Sequence, residues 1–283
     1  MRVYEYAKQR DIKSKDVVEY IKASGYSIKN HMAKIPEGII NELNHTQFDS
    51  KPKKKKRNPK NIIVISMECT PFINTGLGAL VGNKVAQHKV KENNTSVILP
   101  LYKVSKEQLT VKQKLVVTIG DSEQEGTVYQ YSKDEVSYYF IENDYYFGRE
   151  KLYGFYDDAE RFAFMSKIAL ELINSFERNV DIINFHDWTL SLIPILYKDG
   201  QGGEDSKSVL ELSVYGATYQ GIYDKDVLTY VFGLSDDYFN SGLVEYAGSL
   251  NMLKAGLVTA DKLDINKVAL DDLKKSYLKD FVQ

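Results

Sequence analysis

Cysteine is nearly absent: Cys69 stands alone in 283 residues. A lone thiol excludes an internal disulfide framework and fits a reducing compartment. Histidine is also scarce. His31, His45, His88 and His186 are scattered without metal-ligand spacing, so no metal and no other cofactor is expected. No run of 18 apolar residues occurs, and the opening MRVYEYAKQR has no apolar signal core. These absences predict a cytoplasmic protein. Hydrophobic residues still make up 43%, enough for a sizeable core and too many for disorder.

Net charge is small, but it is unevenly placed. Residues 1–60 hold 15 Lys/Arg against seven Asp/Glu, a net of +8, while residues 61–283 hold 22 against 32, a net of −10. Such asymmetry points to an anionic partner for the N-terminal part. Residues 1–48 read as a small helical module. Val3, Tyr6 and Ala7 share a face, Ser14 is placed to cap a second helix, Gly25 to end it, and Ile35–Leu43 supplies a third apolar stretch. Residues 49–60 form a basic linker containing Lys51, Lys53, Lys54, Lys55, Lys56, Arg57 and Lys60. Two readings of it stay open: a solvated tether, or an anion-binding segment for RNA, the ribosome, an anionic membrane or an acidic protein face.

From residue 61 the pattern alternates strand and helix, which predicts an α/β fold with a doubly wound parallel sheet. The apolar runs Asn61–Ser66, Ser96–Pro100, Asp181–Phe185 and Val209–Val214 read as parallel strands. Leu115–Ile119, Thr127–Tyr131 and Tyr138–Ile141 alternate with period two and read as inserted antiparallel strands. A glycine-containing loop, Asn74-Thr75-Gly76-Leu77-Gly78, joins the first strand to a helix near Leu80–Lys89, where backbone N–H groups can meet a phosphate or sugar oxygen. Asp157 or Asp158 is placed to cap a long helix, and Thr189–Lys198 reads as another. His186-Asp187-Trp188 falls at the carboxyl end of a strand, where open α/β sheets bind ligands. There Asp187 reads either as the cap of the next helix or as a ligand contact. Tyr145, Tyr146 and Tyr153 could stack on sugars and Arg161 could reach hydroxyls, or all four could be packing.

Two resemblances follow from ordered motifs. Val3-Tyr4-Glu5-Tyr6-Ala7-Lys8, Ser14-Lys15 and Ile28-Lys29-Asn30-His31-Met32 resemble the small N-terminal module of bacterial translation initiation factor two. From Asn61 to about Leu273 the chain resembles the N-terminal domain of glycogen/starch synthases, carried by Ser66-Met67-Glu68-Cys69-Thr70-Pro71-Phe72, Tyr145-Tyr146-Phe147-Gly148-Arg149, Leu152-Tyr153-Gly154, His186-Asp187-Trp188 and Tyr219-Gln220-Gly221. That resemblance implies one Rossmann-like half of a GT-B glycosyltransferase, with ADP-glucose as donor and an active site between two such halves.

The match has gaps. Asn74 holds the position of a family lysine that faces a diphosphate, Leu77 that of a glycine, Leu80 that of an aspartate, and Tyr215 that of a histidine that contacts the transferred sugar. A phenol cannot copy imidazole proton chemistry near neutral pH. Asn74, Asp187 and Tyr215 are therefore expected as vestigial catalytic positions. Thr75, Gly76, Gly78, Tyr153, Arg161, His186 and Asp187 are the candidate ligand contacts. Leu77, Leu80 and Tyr215 are candidates for filling the vacated pocket. The expected function is a non-catalytic binding or regulatory protein with an unknown protein partner, weak α-glucan affinity at most, and no use of ADP-glucose. The alternatives are a glucosyltransferase half completed by a separate C-terminal domain, or a glycan-binding module.

Overall fold

A computed structural model describes residues 1–48, 58–102, 104–202 and 207–282. They form two compact units, Met1–Asn58 and Pro59–Gln283. The basic positions Lys51, Lys53, Lys54, Lys55, Lys56 and Arg57 lie outside the described residues. Lys60 is described; its main chain bonds Asn94 N–H and Asn93 Oδ1, and its side chain is exposed.

The first unit contains α1 (Val3–Gln9), α2 (Ser14–Ala23) and α3 (Ile40–His45). Val3, Tyr6, Ala7, Val17, Ile21 and Leu43 make its core. The expected cap at Ser14 is corrected: Lys13 is the capping residue and Ser14 the first helical one. Gly25 adopts φ +88°, a left-handed geometry that ends α2 without a Cβ clash.

In the second unit the elements run β1 (Asn61–Ile65), α4 (Gly76–Val90), β2 (Asn94–Pro100), β3 (Thr110–Ile119), β4 (Ser122–Lys133), β5 (Val136–Glu142), α5 (Asp144–Phe147) and α6 (Asp158–Asn174). There follow β6 (Ile182–His186), α7 (Ile193–Leu196), β7 (Val209–Val214), β8 (Ile222–Tyr223), α8 (Asp237–Asn240), β9 (Glu245–Tyr246) and β10 (Ser249–Asn251). The last are α9 (Met252–Thr259), β11 (Lys262–Ile265) and α10 (Lys267–Lys275).

Eight strands join in the order β11-β7-β6-β1-β2-β5-β4-β3, and β8-β10-β9 form a small separate sheet. From β11 to β5 every pairing is parallel, and only β5–β4 and β4–β3 are antiparallel. The expected antiparallel insertion is therefore corrected in one respect: β5 joins β2 in parallel, so β3 and β4 are an edge hairpin continuous with the main sheet.

Alternation along β1 divides the core. Ile63 and Ile65 face a layer with Phe162, Met165 and Ile168 of α6, whereas Ile62 and Val64 face Val81 and Val85 of α4. Burial on both faces explains why these strands are continuous apolar runs. The order reverses at β1, which has β2 on one side and β6 on the other. A topological switch point is where α/β sheets place ligands, outside the carboxyl ends of the strands.

Candidate functional site

The segments leaving β1 and β6 meet at that switch point. After β1 the chain turns through Ser66 and Glu68 into the loop that starts α4. Thr75 caps α4 by accepting a bond from Gly78 N–H (2.9 Å), and its hydroxyl donates to Glu68 Oε2. Tyr153 donates its phenol to the other oxygen, Glu68 Oε1. The Glu68 side chain is buried and held at both oxygens. Burial, then the neighbouring Tyr102 and Glu68, raise the Tyr153 phenol well above its ordinary range, so it stays a donor.

Asp187 follows β6 directly. It adopts φ +65° and ψ 177°, a region that costs a non-glycine residue about 1–3 kcal/mol. Asp187 N–H bonds Ser213 O at 2.8 Å, and Asp187 O accepts from Ser191 Oγ at 3.1 Å. The expectation that the Asp187 side chain caps the next helix is corrected: it makes no cap bond, and Oδ1 is buried without any hydrogen-bond partner. Desolvation raises its carboxyl to about 7, against a bond from the Trp188 backbone that lowers it; the Glu68 charge adds a smaller upward push.

His186 and Tyr215 form the adjoining wall. Their rings stack at 5.7 Å and 15°, and Tyr215 Oη shares a 3.1 Å hydrogen bond with His186 Nδ1. Burial lowers His186 to about 3, so it is neutral, and its Nε2 has no partner. Burial also raises the Tyr215 phenol, which stays protonated. The Tyr215 ring and Leu77 pack into the α4-side layer, while Leu80 is 40% exposed. Leu77 and Tyr215 thus fill space, and Leu80 does not.

Arg161 is wholly buried rather than open to a ligand. It donates to Tyr146 O (2.8 Å) and to Asp158, tying α5 to the start of α6, and its Nη2 lacks a partner. Asp157 precedes α6 without a capping bond, its carboxylate held instead by Arg149. Asn74 is exposed at the mouth of the loop. Gly76 has open space where a side chain would stand, but a Cβ on Gly78 would lie 2.3 Å from Ile73 O, so close packing requires that glycine. Tyr219 and Gln220 lead into Gly221 at φ +65°, whose missing Cβ admits the Trp188 ring: a turn, as the spacing suggested. Cys69 is buried, and burial pushes its thiol up to about 12, the setting of a packed rather than a reactive thiol.

The structure thus brings Thr75, Tyr153, His186, Asp187 and Tyr215 to one edge and adds Glu68, which residue-by-residue reading had passed over. Glu68 stood in the quoted Ser66–Phe72 motif; a carboxylate placed just after a buried strand was the available signal. Among the described residues no group of three or more His, Cys, Asp or Glu could hold a metal ion.

A family model described as the starch synthase catalytic domain matches residues 61–266. The chain belongs to the starch synthase catalytic-domain family. A glycogen synthase of Bacillus cytotoxicus is 34% identical over 212 residues, 72% of this chain and 44% of that protein. A glycogen synthase of Exiguobacterium sibiricum is 36% identical over 208 residues, 69% of this chain and 43% of that protein. The chain therefore spans less than half the length of these synthases. The catalytic domain of starch synthase IV from Arabidopsis thaliana, bound to ADP and acarbose, shares the fold at a TM-score of 0.62 and 22% identity, over 73% of this chain and 44% of that one. The sheet here thus has the fold of one Rossmann-like half of a GT-B glycosyltransferase, and its carboxyl edge carries the Glu68–Asp187 cluster. Among the described residues no helix is long and apolar enough to cross a membrane.

Proposed function

We propose that this chain is the glucan-side half of a cytoplasmic glucosyltransferase of the glycogen and starch synthase kind. It would transfer glucose from ADP-glucose to an α-glucan when a second α/β domain closes the cleft. The observation that carries the reading is a buried polar wall kept unsatisfied. Asp187 Oδ1 and His186 Nε2 lack partners at the carboxyl edge of the sheet, beside a Glu68 whose two oxygens are fixed. Each buried orphan costs about 1–3 kcal/mol, and native proteins keep few of them. A sugar hydroxyl, which can donate, would satisfy Asp187 Oδ1.

Glu68 is then a fixed acceptor, Tyr153 and Thr75 hold its geometry, and Asp187 accepts from a sugar hydroxyl. Stabilising the departing diphosphate needs positive charge, and Asn74 brings none, so that charge must converge from the second domain. The test mixes this chain with the C-terminal half of the Bacillus cytotoxicus glycogen synthase and follows labelled glucose from ADP-glucose into glycogen. We expect no transfer by the chain alone, transfer by the mixture, and loss in Asp187→Asn. A mixture that stays inactive, while the Bacillus enzyme's own two halves are active together, would sink the proposal.

A second reading, a non-catalytic binding or regulatory protein, is favoured by Asn74, Leu77 and Tyr215, and that same inactive mixture would support it. In either reading residues 1–60 serve as a basic docking module, resembling that of initiation factor two, for RNA, the ribosome, an anionic membrane or an acidic protein.

A further inference from the structure

A hollow of about 280 Å³ opens on the α4-side face of the sheet, between the loop after β2 and strand β4. Two rings wall it at right angles: Phe72, from the segment after β1, meets Tyr131 of β4 at 5.9 Å and 89°. Phe72 is also fixed by Tyr138 at 4.8 Å and Phe140 at 4.9 Å, both edge-on. Val104 and Leu109 add apolar lining, and Glu107 and Gln108 add polar groups. Glu107 is exposed, and its N–H bonds Ser105 Oγ at 3.4 Å. Among the described residues its carboxylate has neither a hydrogen bond nor an ion pair, and no lysine or arginine lines the hollow. The neighbouring position on β4 shows the same parts completed. Tyr129 and Tyr131 are two residues apart on one strand and share a face. The Lys106 ammonium lies 5.4 Å from the Tyr129 ring centre and pairs with Glu142, whose other oxygen accepts from Tyr129 Oη at 2.9 Å. At Tyr131 a ring and a carboxylate recur, and no ammonium of the described residues joins them.

We propose that this hollow binds an aliphatic ammonium group, held by cation–π contact with Tyr131 and Phe72 and by charge pairing with Glu107. Ring faces attract a cation through their quadrupole, and the three N–H donors of an ammonium can be shared between the Glu107 carboxylate and the Gln108 carbonyl. The alkyl stem packs on Val104 and Leu109, and so small a hollow suits a single chain. The ligand is therefore an alkylamine, whether a free diamine or a lysyl side chain. An anion would be repelled by Glu107 and by the ring faces. A purely apolar chain gains nothing from the carboxylate. Phe72 N–H bonds Cys69 O at 3.1 Å, in the short segment between Glu68 and Thr75, so an occupant bears on the loop that carries part of the cleft cluster. Any effect on glucan contact rests on the proposed function; the binding itself does not.

The experiment titrates the full chain with pentylammonium and follows the backbone amide signals of residues 105–109 by NMR. Pentanol, the neutral isostere, is the control. Pentylammonium should give saturable shifts, and pentanol should bind about fivefold more weakly or not at all. Glu107→Gln, on an exposed loop where the fold is not at stake, should weaken pentylammonium binding about fivefold, as should Tyr131→Leu, while Tyr131→Phe keeps it. Equal binding of pentanol, or pentylammonium binding that Glu107→Gln leaves unchanged, overturns the proposal. So do shifts confined to Tyr129 and Glu142, because the amine would then only displace Lys106. Diaminopentane and Nα-acetyl-lysine methylamide separate the two sources. Tighter binding of the first assigns a free diamine, tighter binding of the second a lysyl side chain, and binding of neither overturns the proposal. None of these readouts involves glucose transfer, so failure of this site and failure of the proposed function are told apart.

Discussion

Replacing Asp187 with asparagine should stabilise the protein, and only above a defined pH. The Asp187 carboxyl is held at about 7 against an ordinary 3.8, chiefly by desolvation. A folded value above the unfolded one means that the native state binds more protons between those two pH values, so this group's contribution falls as pH rises through that window. Each pH unit is worth about 1.4 kcal/mol, so the shift sets a ceiling of about 4 kcal/mol. Wild-type stability alone would hide the effect. His186 is held at about 3, below its ordinary 6.5, so its contribution is lost as pH falls below 6.5, opposing Asp187 between about pH 4 and 6.5.

The comparison of Asp187→Asn with wild type cancels the histidine. Urea unfolding from pH 4 to 8 can be followed by the fluorescence of Trp188, the sole tryptophan, which packs edge-on against Phe162 at 5.1 Å. The variant's advantage should be small at pH 4, grow through neutrality and level off above pH 7. An asparagine that is more stable yet inactive in the complemented mixture would mark a carboxylate kept for ligand rather than for folding. Parallel stability curves for the two proteins would refute the reasoning, because Asp187 would then be solvated and ordinary.

Tyr215→Phe removes the bond to His186 Nδ1 and should cost about 1–2 kcal/mol in thermal or urea unfolding, since it leaves a second buried imidazole nitrogen unpaired. Gly78→Ala should destabilise by more than 1 kcal/mol and shift the Thr75 cap, because a Cβ there meets Ile73 O; circular-dichroism melts against a Gly76→Ala control, where space is open, check this. Changing Lys53–Lys56 to serine should abolish salt-sensitive retention on a polyanionic column while leaving the melting temperature of the α/β unit unchanged. Retention that survives the change would assign the anion contact to other residues.

Much of the fold was legible because it rests on burial at both faces. β7 runs over the expected Val209–Val214, and β1 and β2 depart from expectation only at their ends, since continuous apolar runs bounded by polar residues have one outcome in a parallel sheet. Strands of two or three residues, such as β8 to β10, are too short for any period, and β11 (Lys-Leu-Asp-Ile) mixes polar and apolar positions without full burial, so neither was visible. The expected helix Thr189–Lys198 breaks into a short turn and α7 (Ile193–Leu196), with Pro194 near its start. Side-chain geometry was the least legible. Asp187 after a strand invites a capping role, and only the backbone at φ +65° turns its carboxylate away from that role.

That geometry bears on what the departures from the family pattern can mean. An abandoned site is under no constraint to keep costly features, and a strained, desolvated carboxylate is easily relaxed by a single substitution to asparagine or glycine. Here the cost is retained at Asp187, at His186 Nε2 and in the doubly held Glu68, while the changes fall on Asn74 and Tyr215. Tyr215 does not collapse the wall. It stacks on His186 and leaves Asp187 Oδ1 without a partner. In the proposed reading, Asn74 without charge beside a buried Glu68 and Asp187 separates two demands, donor stabilisation and glucan contact. Under the proposed function, glucan contact would rest on Glu68, Tyr153 and Asp187, and the rate of transfer on charge at the diphosphate. Introducing Asn74→Lys into the complemented mixture should therefore raise kcat with little change in KM for glycogen. A change confined to the glycogen KM would mean that Asn74 belongs to the glucan wall instead.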